Sequence, residues 1–352
     1  MRYKNNWPEA RERLTALWER RRMDRPCLAV TAPSGKDAVG PPPPQTPEQR
    51  WLDPQWLVAD ALAHIENTWW GGESIPSYLA LAGWGVCLGA RPKFDDHTIW
   101  FETVPVDFSR PPSFSFDPQD PWFRRYEAVY MALAKAAGQD EFLVGLPCLL
   151  PANDLLSMLL GTELFLTSLL DHPEWMRSAL AQAARATAAG RKYLRERLAA
   201  KHDFWYGIAG WMTLWAPEPY LAMQSDVSCM LSPEMFDEFI LPELELSGRE
   251  FGALWYHLDG GNARQHLPRL LSLPYLRVLQ YTPAPCEPPN GVEHLEFYRK
   301  IQAAGKIVHI QAPKAQVLAL AKALDPSLLC IDTSCSSPRE GEDLLAAAKS
   351  QA

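Results

Sequence analysis

Short apolar runs alternate with amphipathic segments along the second half of the chain. Each apolar run is followed by a segment in which apolar residues recur at helical spacing. The predicted pairs are strand 253–257 with helix 263–272, strand 276–281 with helix 293–304, strand 306–311 with helix 314–324, and strand 328–333 with helix 338–349. This alternation is typical of a parallel sheet with helices packed outside it.

The first half of the chain is less regular, but it supplies further elements. Its predicted strands lie near residues 27–32, 142–147, 203–208 and 221–226, and its predicted helices span residues 7–22, 54–69, 122–138 and 173–200. With the second half this gives eight strands, so we predict an α/β fold, a (β/α)8 TIM barrel with an N-terminal helical extension. In an alternative, residues 74–82 are the second strand and either 203–208 or 221–226 is an addition.

Residues 70–125 interrupt the alternation, because they are rich in Gly, Pro, Trp and Phe and have weak periodicity. We interpret this Trp- and Pro-rich stretch as an insertion that covers one end of the barrel, with an edge strand at 98–104. It is too irregular to hold a core of its own, so residues 1–352 are expected to form a single domain.

Two helix starts can be predicted from capping residues. Asn153 or Asp154 is expected to cap a helix that follows Pro151. Ser232 is expected to cap a second helix, with Pro233 at its first position.

Composition and charge narrow the classes of function. Hydrophobic residues make up 47% of the 352 residues and charged residues 22%, which is enough for a sizeable core. The net charge of −8 argues against a nucleic-acid partner, which would require a basic face. No apolar run approaches the length of about 18 residues that a membrane span needs, and the charged N-terminus lacks an apolar signal segment. Seven cysteines without a Cys-x-x-Cys pair favour free thiols in a reducing cytoplasm.

The most distinctive stretch is residues 254–262, where bulky residues lead into His257, Asp259, two glycines and an asparagine. Because side chains alternate along a strand, His257 and Asp259 are expected on one face at its end. Active sites of α/β barrels lie at this end of the strands. The structural alternative is a buried histidine with an aspartate that caps a helix starting near Arg264.

Other predicted strand ends add candidate residues. His257, Asp259 and Cys335, which follows the last strand, are expected to meet at the barrel mouth. Three protein ligands with an open fourth position are typical of a catalytic zinc site, and separate structural roles are the alternative. Asp226 and His257 are candidate catalytic residues. The candidate substrate-binding residues are Trp211, Trp215, Asp226, Asn262, Gln280, Tyr281, His309 and Gln311.

Several segments together resemble a known protein family. They are Val144-Gly145, Asp154-Leu155, Leu160-Gly161, Asp171 to Glu174, Ser225-Asp226, Ser232 to Phe239, Pro242, His257 to Gly260, and Thr333 to Cys335. In this order and spacing, over about residues 140–350, they resemble the uroporphyrinogen decarboxylase superfamily and in particular its branch of corrinoid-linked methyltransferases. The resemblance implies the (β/α)8 fold.

The resemblance also implies a metal site. In the methyltransferase branch, a His-x-Cys pair after one strand and a Cys after the last strand hold zinc. The corresponding residues are His257 and Cys335, 78 residues further on, whereas Asp259 stands where the family has its first Cys. A carboxylate is a harder ligand than a thiolate, so another divalent metal is an alternative to Zn²⁺. The Arg-Gln-Ala-Gly-Arg stretch of the true decarboxylases is absent, which argues against porphyrinogen decarboxylation.

The function expected from these features is metal-assisted methyl transfer between a small methylated substrate, such as a methyl ether, and a corrinoid protein or a thiol acceptor. A decarboxylase-like lyase acting on a small carboxylic acid, with Asp226 and His257 handling protons, is one alternative. A non-catalytic barrel that binds a small ligand through its tryptophans is another. The expected partners are a small molecule and a corrinoid protein, and we expect a monomer or homodimer in the cytoplasm.

Overall fold

A mostly parallel sheet of seven strands organises the molecule. The computed structural model describes residues 1–80, 83–138, 141–145, 150–199, 208–209 and 212–350. Its strands are β1 (Cys27–Pro33), β2 (Thr68–Gly72), β3 (Ser77–Tyr78), β4 (Pro92–Phe94), β5 (Ile99–Phe101), β6 (Leu143–Val144), β7 (Ile208–Ala209), β8 (Met212–Thr213), β9 (Leu221–Met223), β10 (Leu254–Asp259), β11 (Leu276–Thr282), β12 (Ile307–Gln311) and β13 (Leu329–Ser334). Its helices are α1 (Trp7–Trp18), α2 (Pro47–Leu52), α3 (Pro54–Asn67), α4 (Pro121–Ala137), α5 (Ala152–Leu160), α6 (Thr162–Asp171), α7 (Pro173–Ala199), α8 (Pro233–Phe239), α9 (Leu241–Phe251), α10 (Leu267–Ser272), α11 (Leu295–Ala303), α12 (Lys314–Ala323) and α13 (Pro338–Ser350).

The strands of the large sheet lie in the order β2-β1-β13-β12-β11-β10-β9. From β9 to β1 every neighbouring pair is parallel, and β2 adds an antiparallel edge beside β1. The other described strands form three two-stranded ladders, of which the β3–β6 ladder is parallel. This arrangement is an α/β fold consistent with the predicted barrel, although the described strands do not join into one closed ring.

Side-chain alternation gives the large sheet two different faces. On β10, Tyr256 and Leu258 belong to the main core, which the sheet forms with the surrounding helices. Trp255 points to the opposite side and shares a second apolar cluster with Trp7 and Leu14 of α1. We call the face that carries Trp255 the inner face.

The inner face changes from apolar to polar along the strands. Near the strand starts it carries Trp255, Val278, Ile307 and Cys330, which share one apolar cluster. Two residues later on the same strands, and therefore on the same face, stand His257, Gln280, His309 and Asp332. The helix α1 packs against the apolar end of this face. The polar side chains lie at its other end, where the strands end.

The regular second half of the chain follows the sequence prediction closely. The four predicted strands and their helices are all present, each with ends within a few residues of the predicted ones. The helix predicted at 263–272 is divided into a 3₁₀ turn, Gly261–His266, and the helix α10. The predicted Ser232 cap is confirmed, because its hydroxyl accepts a hydrogen bond from the Met235 amide.

The first half departs further from the prediction. The predicted helix 7–22 ends at Trp18, and Arg20 then adopts a left-handed backbone with φ of 58°, which cannot continue a helix. The segment 74–82 contributes β3, and β5 forms the centre of the predicted edge strand, antiparallel to β4. Most of the strand predicted at 203–208 lies outside the described residues.

Two further properties follow from the described residues. None of their helices is both long and apolar enough to cross a membrane. The six cysteines among them all carry free thiols, as predicted.

Candidate active site

A group of three potential metal ligands lies at the carboxyl ends of β9 and β10. Alternation brings His257 and Asp259 to the inner face at the end of β10, and Asp226 begins the 3₁₀ turn that follows β9. One donor atom from each of these residues lies within 4.8 Å of the others. His257 is buried, whereas the two aspartates reach the solvent. The structure therefore joins the predicted pair with Asp226.

The imidazole of His257 is oriented by a chain of neutral side chains on the next strand. Its Nδ1 atom is hydrogen-bonded to Oε1 of Gln280, whose Nε2 atom donates to the hydroxyl of Thr282 at 3.0 Å. With Gln280 oriented in this way, Nδ1 carries the proton and Nε2 carries the lone pair. Burial lowers the pKa of His257, so the ring is neutral, as a metal ligand must be.

The turn that carries Asp226 is held in place by a buried carboxylate. Asp154 accepts hydrogen bonds from the backbone amides of Asp226 and Val227, each at 3.1 Å. Gln224 donates its amide to Asp226 at 2.8 Å and to Asp154 at 3.2 Å. Asp154 thus fixes the backbone of Asp226, and Gln224 orients its side chain.

The role predicted for Asn153 and Asp154 is wrong. The helix α5 already begins at Ala152, and neither side chain caps it. Asp154 instead binds the turn 72 residues further along the chain, and Asn153 accepts a hydrogen bond from the hydroxyl of Ser225 at 2.9 Å. A carboxylate next to an amide in an apolar helix start is a weak sign of such a tertiary role.

The charges of this group favour a bound cation. Although Asp226 reaches the solvent, partial burial of its carboxyl group raises its pKa to about 7, and the carboxylates of Asp154 and Asp259 add to the rise by repulsion. A divalent cation between these carboxylates would remove that repulsion. One imidazole nitrogen and two carboxylate oxygens form a donor set that suits zinc and also harder divalent cations such as manganese.

The third predicted ligand, Cys335, is not part of this group. It follows β13, its backbone amide donates to the carbonyl oxygen of Thr31 at 2.8 Å, and burial raises the pKa of its thiol. A different thiol, that of Cys229, is influenced by the carboxylates of the group. Its pKa is raised by burial and, in addition, by the negative charges of Asp226 and Asp259. Cys229 was not predicted, because a single cysteine in an irregular turn carries no spacing signal.

A second group of potential ligands lies on β12 and β13, but its hydrogen bonds argue against a metal. His309, Cys330 and Asp332 have donor atoms within 4.8 Å of one another. Nδ1 of His309 accepts from the indole of Trp255 at 3.0 Å, and Nε2 lies 2.9 Å from Asp332. Both ring nitrogens are therefore engaged, and complete burial raises the pKa of Cys330 far above its ordinary value.

A cavity of about 730 Å³ lies beside this second group. Asp332, Gln311 and Cys335 line it from the ends of β12 and β13, and α3 and β3 contribute further residues to its wall. Its volume is in the range of small-molecule sites, and it opens at the carboxyl ends of the strands. Gln311, a predicted substrate residue, lines this cavity, and His309 contacts Asp332 in its wall.

The remaining predicted substrate residues lie elsewhere. Tyr281 is on the helix side of β11, where its hydroxyl donates to Glu287, because alternation directs it away from Gln280. Trp215 packs edge-on against Trp7 in the apolar cluster with α1, which removes it from the polar end. Asn262 is exposed. Trp211 lies outside the described residues.

The aspartate-cap alternative for Asp259 is also not supported. The 3₁₀ turn that follows begins after Gly260, which has a φ of 72°, and no side chain caps it. The two adjacent glycines allow the chain to leave the strand at this point without a capping side chain.

Comparison with known proteins supports the fold. No protein-family model and no curated protein matches the chain. Among solved structures it is similar to a methyltransferase from Methanosarcina mazei, with a TM-score of 0.61 and 16% sequence identity over 97% of this chain and 98% of that one. The two chains therefore share an overall fold along nearly their whole lengths.

Proposed function

We propose that this protein is a metal-dependent methyltransferase of the uroporphyrinogen decarboxylase-like type. The observation that carries the proposal is the group Asp226, His257 and Asp259 at the carboxyl ends of the strands. Two findings support it: the similarity in fold to a methyltransferase from Methanosarcina mazei, and the motif resemblance to corrinoid-linked methyltransferases.

In this proposal Asp226, His257 and Asp259 hold a divalent cation. The cation would supply Lewis acidity to an oxygen or sulfur atom of a substrate. Gln280 keeps the proton of His257 on Nδ1 and so directs the Nε2 lone pair to the site. Asp154 keeps the Asp226 turn in position, and Gln224 orients its carboxylate.

The ligand residues narrow the choice of metal. With two carboxylates the site is harder than the zinc site that the resemblance implies, so manganese and zinc are both candidates. Zinc binding through Cys335 would require its thiol to enter the group. Cys229, which is partly exposed, is the thiol whose pKa the carboxylates of the group influence.

The substrates belong to the same proposal. The methyl donor is a small molecule, and the acceptor is a corrinoid protein or a thiol. In this proposal the protein binds the methyl donor and the acceptor at the carboxyl ends of the strands, beside the cation that Asp226, His257 and Asp259 hold.

Metal analysis of the purified protein tests this proposal directly. We expect close to one divalent ion per chain in the wild type, and a loss of most of it in Asp226→Asn, His257→Gln and Asp259→Asn. Cys335→Ser should retain the metal, and His97→Gln, which changes an exposed imidazole, serves as the matched control. A wild-type protein with metal at background level would refute the metal-dependent mechanism and favour the lyase or binding-protein alternatives.

A further inference from the structure

Among the described residues, the cavity beside β1, β12 and β13 is lined by two carboxylates and by no lysine or arginine. Asp332 projects from the sheet and Asp60 from α3, and both line the cavity. His64 is also part of the wall, and burial lowers the pKa of its imidazole, so it is uncharged at neutral pH.

The charge of Asp332 is not neutralised by the histidine that binds it. The indole nitrogen of Trp255 can only donate, so Nδ1 of His309 must accept and cannot carry a proton. The ring proton then lies on Nε2, which donates to Asp332 at 2.9 Å. This contact orients the carboxylate through a neutral imidazole and leaves its negative charge uncompensated.

Asp60 is oriented in the same way by a neutral group. The phenol of Tyr78 donates to its carboxylate at 2.7 Å, and no ion pair involves Asp60 among the described residues. The cations in the surroundings have other contacts. Lys314 is paired with Glu340. Arg50 lies over the ring of Trp56 and lines a neighbouring cavity whose wall also includes Asp60 and Tyr78, but it forms no ion pair with Asp60 in the described part of the chain.

The rest of the wall is suited to an organic cation. Trp70 and Tyr78 present aromatic rings to the cavity, and aromatic faces attract cations. Thr333 also belongs to the wall, but alternation along β13 directs its side chain to the helix side, away from that of Asp332.

We propose that this cavity binds a small organic cation, such as a methylated ammonium compound, between Asp332 and Asp60. Two oriented carboxylates, neither of which has a lysine or arginine ion-pair partner in the described part of the chain, attract a positive group and repel anionic ligands such as carboxylates and sulfonates. As the substrate class of the methyl transfer this inference rests on the proposed function, but the binding itself needs neither turnover nor metal.

Calorimetric titration with matched probes tests the inference. The probes are choline, the uncharged carbon analogue 3,3-dimethylbutan-1-ol, in which a tert-butyl group replaces the trimethylammonium group, and the carboxylate anion 3,3-dimethylbutanoate. We expect choline to bind at least about tenfold more tightly than the carbon analogue, since they differ only in charge, and the anion not to bind.

Two variants locate the binding. Asp332→Asn retains an oxygen that accepts from His309, and Asp60→Asn retains one that accepts from Tyr78, so both should fold while losing the charge. Each should weaken choline binding about tenfold or more, whereas Asp343→Asn, which changes an exposed aspartate, should leave the affinity unchanged. Thermal unfolding of each variant checks that it is folded.

Three results would overturn the inference. They are the absence of choline binding at millimolar concentration, equal affinity for the carbon analogue, and an affinity unchanged in both Asp→Asn variants. Metal content measured on the same samples separates this failure from a failure of the proposed function. If the protein binds metal but not choline, the proposed methyltransferase function stands and the cationic substrate class is refuted.

Discussion

Glu243 is a buried carboxyl group that supports the candidate site from α9. Both of its oxygens accept from the backbone amide of Ala152, at 2.9 and 3.0 Å, at the start of α5. The next two residues of α5, Asn153 and Asp154, hold the segment that carries Asp226. Burial raises the pKa of Glu243 from the ordinary 4.5 to about 7.

This raised pKa predicts a specific dependence of stability on pH. Below pH 4.5 Glu243 is protonated in both the folded and the unfolded chain, so it carries no penalty. Between pH 4.5 and about 7 the unfolded chain loses this proton first, and the free energy of unfolding falls. Above pH 7 the penalty is constant, at about 3 kcal/mol for a pKa change of this size.

Glu243→Gln should remove this dependence, because an amide has no charge at any of these pH values. Urea unfolding of both proteins across this pH range gives the difference in the free energy of unfolding. The free energy of unfolding of the variant, relative to that of the wild type, should rise by about 3 kcal/mol between pH 4.5 and 7.5. Any loss from the changed contact with Ala152 would shift the curve equally at every pH.

A matched control isolates the buried group. Glu250→Gln is the matched control, because it makes the same chemical change at the exposed end of the same helix. A constant difference for Glu243→Gln, within about 0.5 kcal/mol over the whole range, would refute the argument that burial raises this pKa.

Three other substitutions test further parts of the structure through the free energy of unfolding. Glu73→Gln should cost about 3–5 kcal/mol, because it leaves two arginine side chains, paired with Glu73 at 2.7 and 3.2 Å, without their buried counter-charge; a cost below about 1 kcal/mol would contradict this. Trp255→Phe should cost about 1–3 kcal/mol, because it removes the donor to Nδ1 of His309 and leaves a buried acceptor without its partner; unchanged stability would refute the tautomer assignment. Gly72→Ala should cost at least about 2 kcal/mol, because φ is +57° and the new Cβ would lie 2.2 Å from the carbonyl oxygen of Leu28; a neutral effect would contradict the backbone placement.

The sequence predicts the second half of the fold well because the pattern there is local. Each parallel strand is an apolar run, and each helix has a periodic apolar face, so both can be recognised without knowing their partners. In the first half the described strands β3, β6, β7, β8 and β9 have only two or three residues each. Strands this short are defined by their neighbours across the sheet, which no local pattern reveals.

The candidate site shows the same limit. His257 and Asp259 were found because alternation along one strand predicts a shared face. The same rule separates Gln280 from Tyr281, since neighbouring residues on a strand point to opposite faces and only one of them can join the site. Cys335 lies beyond the end of β13, where alternation no longer fixes the direction of a side chain. The contact from Asp154 to the Asp226 turn joins residues 72 apart and could not be read from spacing.

The carboxyl ends of the strands share one electrostatic design. Three carboxylates there are oriented by neutral donors: Asp226 by Gln224, Asp332 by His309, and Asp60 by Tyr78. A neutral donor fixes the direction of a carboxylate without cancelling its charge, so the negative potential is left for a ligand to neutralise. Ion pairs are instead abundant elsewhere, as in the buried contact between Arg25 and Glu73. This end of the sheet therefore supplies oriented carboxylates, and both proposals assign the balancing positive charge to a bound cation.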